Sequence, residues 1–186
     1  MIEEDKKFSK ITSTEIAKVQ SFENCSFTAC DFGGANFNGK LFIDCVFDDC
    51  NLSLANVSDA GLQNIRFKNC KLSGVNFTKT RDFLFEMHFE GCILDNAVFF
   101  KKKNKKGTFK DCSMIETDLT EADLTDAKFE NCNLNRAFFE RTILRGADLS
   151  TSYNFIIDPD TNDIKKARFS VHGLQGLLAK YDIKVV

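Results

Sequence analysis

The sequence predicts an all-β solenoid, a square coil of four five-residue units per turn and about seven turns, finished by a short C-terminal α-helix. Three observations carry this. All eight cysteines (Cys25, Cys30, Cys45, Cys50, Cys70, Cys92, Cys112 and Cys132) stand two residues before a large apolar residue, at the same position of a five-residue unit. Thirteen of the twenty phenylalanines occupy the position those cysteines precede. The same residue types then recur at twenty: Phe27, Phe47 and Phe67, and again Phe89, Phe109 and Phe129, with Cys30, Cys50 and Cys70 matched by Cys92, Cys112 and Cys132.

A period of five fits neither the 3.6 of a helix nor the 2 of a strand. It fits stacked repeats that share one core. In each unit a small residue and, two later, a large central one point inward. The three remaining positions are mostly Asp, Asn, Ser, Thr, Lys, Arg or Gly, residues suited to tight corners. Four corners close a coil of twenty residues, and each repeated residue becomes a ladder with rungs at about 4.8 Å, the strand spacing.

Taken in order, residues 1–19 lack the repeat and are expected as an N-terminal cap over the first coil, since an open solenoid end invites edge pairing. Residues 20–155 are expected as one continuous β-helix. Its two halves are out of phase by two: Phe67 to Phe89 and Cys70 to Cys92 are each twenty-two apart. A two-residue insertion within 79–88 therefore rejoins the ladders, giving a bulge rather than a domain boundary.

The repeat fails once more, at Lys102 and Asn104, which stand where a small and a central residue belong. Burying an unpaired ammonium is costly. Residues 101–107 are therefore expected to leave the coil as a basic loop. Residues 156–186 are expected as a C-terminal cap: Asp158-Pro159-Asp160 marks a turn, Ser170 is placed to N-cap a helix, and Val171, Leu174, Leu177, Leu178 and Tyr181 form one apolar stripe. Ile183, Val185 and Val186 read as an extended tail.

Composition narrows the function. A net charge of −2 over 186 residues argues against nucleic acid as a partner. No apolar run reaches membrane-span length, and Met1 to Lys7 has no apolar signal core, so a cytoplasmic protein is expected. The cysteines read as small core residues. His88 and His172 are isolated, and no phosphate loop or metal motif appears, so neither enzyme activity, cofactor nor small-molecule substrate is expected.

Ala35-Asn36-Phe37, Ala55-Asn56-Val57, Ala122-Asp123-Leu124 and Ala147-Asp148-Leu149 resemble the A(D/N)LXX motif of the pentapeptide-repeat family, over roughly 20–153. The resemblance implies a right-handed quadrilateral β-helix. Ala167-Arg168-Phe169 and 177–183 also resemble the tail of Qnr-type quinolone-resistance members. That implies a homodimer through the C-terminus, with Leu174, Leu177, Leu178 and Tyr181 as candidate contacts.

Two functional readings stand at this point. One is a protein-interaction module using Lys101, Lys102, Lys103, Lys105 and Lys106 with the adjacent Phe100 and Phe138. The other is implied by the resemblance: a DNA mimic that binds DNA gyrase or topoisomerase IV through acidic residues such as Asp44, Asp48, Asp49, Asp118 and Asp123. Against mimicry, Glu116 should stack under Arg136, and Glu121 under Arg141, neutralising the surface.

Overall fold

The computed structural model describes residues 1–184; the expected extension at Val185 and Val186 lies outside the described residues. The chain winds as a quadrilateral β-helix. On the first face, β1 (Ile2–Glu4), β3 (Ser21–Glu23), β5 (Leu41–Ile43) and β7 (Gly61–Gln63) form a parallel sheet. The second face carries a seven-stranded parallel sheet. It contains β2 (Lys7–Ser9), β4 (Ser26–Thr28), β6 (Val46–Asp48), β8 (Ile65–Lys68), β9 (Met87–Glu90), β10 (Thr108–Lys110) and β11 (Lys128–Glu130). Single bridges such as Asp31↔Asn51↔Lys71 build the third face, and Asn76↔Val98↔Asp118↔Phe138 the fourth.

The central residues fill the interior. Phe27, Phe47 and Phe67 stack face to face with Phe89, Phe109 and Phe129, with neighbouring ring centroids 4.6 to 5.2 Å apart. Between ladders the rings meet edge-on, as Phe22 and Phe27 do at 5.3 Å. Both arrangements suit the ring quadrupole.

The corners follow the central residue by two, and they take positive φ almost throughout, as at Asp44 (52°), Asp111 (53°) and Arg141 (51°). Asn, Asp and Gly tolerate that conformation best, which accounts for their abundance there.

All eight cysteines are buried free thiols. Their role is visible in what they touch. Cys50 Sγ donates to Phe27 O at 3.3 Å, and Cys70 Sγ to Phe47 O at 3.4 Å. Thr142 and Ser152, at equivalent small positions, donate to Leu119 O and Phe129 O. A small side chain with one donor thus ties each coil to a central carbonyl of the coil before it. Burial pushes the Cys45 thiol up to about 12.

Both expected caps belong to the stack. Residues 1–19 pair as the first coil: Phe8 lies in register with Phe27, its ring stacked at 5.0 Å, and Thr12 bridges Asp31. That coil runs one residue short, since Ile2 pairs with Ser21. The shortfall, and Glu3 where a core residue belongs, hid it from the period. At the other end the chain leaves the pattern at Asn154 and returns, with Asp163 bridging Ile143 and Arg168 bridging Asp148.

The helix is shorter than the apolar stripe suggests. It runs Leu174–Leu178 with Gly173 at its N-cap. Ser170 caps the preceding turn instead, its Oγ accepting from Gly173 N–H at 3.0 Å. A Cβ on Gly176 would lie 2.1 Å from Phe155 O, so glycine is what lets the helix close over Phe155.

Candidate interaction surface

The two irregularities of the second half, the phase slip and the lysine run, are one structure. From β8 to β9 the register steps by twenty-two, Ile65 to Met87 and Phe67 to Phe89. The extra residues lie on the first face, where Thr80 to Glu86 bulge between Gln63 and Lys103. Phe85 stays inside and its N–H reaches Asp82 O at 3.3 Å, closing a turn. Phe83 and Leu84 at the tip are 71% and 63% exposed.

The lysine segment does not form a loop. Its backbone keeps the coil: Lys101, Asn104 and Lys106 donate to Thr120, Asp123 and Thr125 carbonyls. Lys102 points inward and is 2% exposed. Its Nζ donates to Thr80 O at 3.0 Å and to Asp82 Oδ1 at 2.5 Å, and lies 4.4 Å from the centre of the Phe85 ring. Asn104, equally buried, holds the other foot of the bulge. Its Oδ1 accepts from Met87 N–H at 3.0 Å and its Nδ2 donates to Met87 O at 3.1 Å. Gly107 leaves room for this amide, since a Cβ there would meet Asn104 Nδ2 at 2.2 Å. The expected loop is wrong because the bulge supplies the ammonium with an anion, a carbonyl and a ring, so the lysine is not buried unpaired.

The other candidate residues scatter over the rod. Lys101 pairs with Glu121 at 3.5 Å and sits 4.8 Å over the Phe100 ring; Lys105 pairs with Asp123 at 3.1 Å. Lys103 and Lys106 are exposed with no ion pair among the described residues. Phe100 is half-buried, whereas Phe138, on the same fourth face, is 56% exposed.

Asp44 and Asp49 sit at corners on either side of Asp48, and Asp44 accepts from Asn64 Nδ2 at 2.6 Å. Asp118 is half-buried and accepts from Thr120 N–H. Burial alone would raise Asp123, but hydrogen bonds from Thr125 and Lys105 hold its carboxyl below the usual range. Leu177 and Leu178 are half-buried, while Leu174 and Tyr181 are exposed.

Acidic residues do not accumulate along the rod. Both anticipated pairs form, Arg136 to Glu116 at 2.9 Å and Arg141 to Glu121 at 2.7 Å. On the second face Asp48, Lys68, Glu90, Lys110 and Glu130 alternate in sign, rung by rung. Among the described residues, one acid stands on another along paired strands and bridges only at Glu4 and Glu23.

A family model described as a pentapeptide repeat region matches residues 20–86 and 82–153. The chain belongs to the pentapeptide-repeat family. No curated protein sequence matches it. Among solved structures, a trypsin-treated variant of QnrB1, a plasmid-mediated fluoroquinolone resistance protein, superposes with a TM-score of 0.65 at 18% identity, covering 100% of this chain and 98% of that one. Full-length QnrB1 gives 0.57 at 18% identity, covering 98% and 100%. HetL, a pentapeptide repeat protein involved in heterocyst differentiation regulation in the cyanobacterium Nostoc, gives 0.41 at 13% identity, covering 90% and 86%.

Phe83 and Leu84 are among the exposed apolar residues that the repeat frame did not single out, as are Leu54 and Ile156. The signal for Phe83 and Leu84 was a run of three apolar residues, Phe83 to Phe85, between Arg81-Asp82 and Glu86, inside the segment where the period slips.

Proposed function

We propose that this pentapeptide-repeat protein is a non-enzymatic protein-interaction module. One observation carries the reading: large apolar side chains stand exposed on a rigid rod, at the bulge tip, at Phe138 and around the C-terminal helix. Apolar side chains set among polar ones are the usual anchors of a protein interface. The C-terminal patch, with Val171, Leu174 and Tyr181 exposed beside a groove of about 620 Å³ lined by Tyr153, Ile156, His172 and Gln175, supports a homodimer. Light scattering of the wild type against Leu174→Ser/Tyr181→Ser tests it: a wild-type mass equal to one chain removes the dimer.

A second reading, binding to DNA gyrase or topoisomerase IV in the manner implied for Qnr-type members, is favoured by the end-to-end match to QnrB1. The alternating charges count against DNA mimicry as its basis. The test is supercoiling by the host's own gyrase with increasing protein, with and without a fluoroquinolone. Inhibition or drug rescue supports this reading. Unchanged supercoiling at large excess removes it and leaves the interaction module.

A further inference from the structure

Resting on the interaction-module reading, we infer that the Phe83–Leu84 tip is a docking knob for a protein partner that offers an apolar pocket rimmed by carboxylates. The knob is built as a rigid projection. Lys102 fixes its first foot at Thr80 and Asp82, Asn104 clamps its second at Met87, and the Phe85 ring is locked beneath it. The two tip side chains face solvent. A turn whose backbone is anchored at both feet needs little ordering on binding, which is what a docking anchor requires.

The surrounding charge identifies the partner. Two acids near the bulge carry ion pairs, Asp82 with Lys102 and Asp59 with Arg81 at 3.1 Å, while Glu86 has only a hydrogen-bond contact to the His88 ring at 3.1 Å. The cations left without an ion pair among the described residues are Lys79, just before the bulge, and Lys103 and Lys106 on the next coil. Against these three cations stands Glu86 alone, so the unmatched charge around the tip is positive. The complement of an apolar tip whose own and next coil carry an excess of unmatched ammonium groups is an apolar pocket with an acidic rim.

The probe is photo-crosslinkable benzoylphenylalanine, placed at position 83, at 138 and at 181 in separate full-length proteins produced in the native host. Crosslinked peptides are sequenced by mass spectrometry. The expected result is a heterologous protein captured from position 83 through an apolar segment flanked by Asp or Glu. Its yield falls at least tenfold in Lys103→Glu/Lys106→Glu, a pair of exposed substitutions that leaves the fold intact by circular dichroism. Capture of a second copy of this chain, of lipid alone, or of a partner segment without acids at position 83 overturns the proposal. Crosslinks from 138 or 181 with none from 83 overturn the knob but leave the interaction module standing. Silence at all three positions removes both.

Discussion

Lys102 offers the sharpest perturbation, because its two ends lie in different environments. The ammonium is buried, whereas the Asp82 side chain that neutralises it is 79% exposed. Lys102→Met keeps the length of the stem and returns Asp82 to water. What it loses is the charged donor to Thr80 O, about 1–3 kcal/mol, and the contact with the Phe85 ring, about 0.5–1 kcal/mol. Against this stands relief of the buried charge, which is of the same order. The net cost should fall near 1 kcal/mol. Asp82→Ala does the reverse, leaving the ammonium inside with one carbonyl and a ring. Removing one partner of a buried pair costs about 3–5 kcal/mol, and water around Asp82 argues for the lower end, about 3 kcal/mol. The exposed residue should thus matter more than the buried one, and the double variant should lie close to Lys102→Met alone. Urea unfolding followed by far-ultraviolet circular dichroism measures all three, since the chain has no tryptophan. Hydrogen exchange over 80–87 localises the change. If Asp82→Ala costs no more than Lys102→Met, the ammonium reaches solvent and the reasoning is refuted.

Asn104→Leu would restore an apolar central residue, yet it strips Met87 of partners for both N–H and carbonyl. It should destabilise by about 2–4 kcal/mol in thermal or urea unfolding. The ladder thiols, with Cys45 pushed up to about 12, should resist iodoacetamide at pH 8 until the coil is unfolded, and quantitative labelling before unfolding would contradict their burial. Glu15 is held down to about 2, chiefly by the Thr12 hydroxyl at 2.6 Å. Its folded value is depressed, so its contribution is present above the ordinary glutamate range and fades as pH falls towards about 2. Carboxylate titration by NMR checks this, and Glu15→Gln should remove that part of the acid dependence. Gly176→Ala forces the helix off Phe155, so limited trypsin digestion should cut earlier at Lys180 while the coil's unfolding midpoint stays unchanged.

The regular coils were legible because burial repeats with the period: every central Phe meets the same surroundings, and a spacing of twenty or twenty-two maps directly onto rungs. What escaped were positions where polar groups are buried against other polar groups. Lys102 and Asn104 violate the frame when read alone. They make sense only beside the Asp82 carboxylate and the Met87 backbone some twenty residues earlier. A one-dimensional period cannot see such a pairing, because the partner's conformation is itself irregular. Phe8 was missed for a related reason: the first coil is a residue short, so its ring is out of phase in sequence while stacked on Phe27 in space. The knob residues carry no periodic signal at all.

The bulge and its anchors also constrain how this chain can change over generations. Lys40 holds the short first coil as Lys102 holds the long one, its Nζ donating to the carbonyls of Ile16, Ala17 and Val19, and both lysines enter from the same corner of the square. A gain or loss of residues in one turn is therefore recorded in the next. Excising the two extra residues alone would strand a cation and an amide in the core; replacing the lysine alone would loosen the turn that precedes it. Indel and substitution must be inherited together. Within a family of short interchangeable units, such linked pairs are the points where one member's history cannot be shuffled freely with another's.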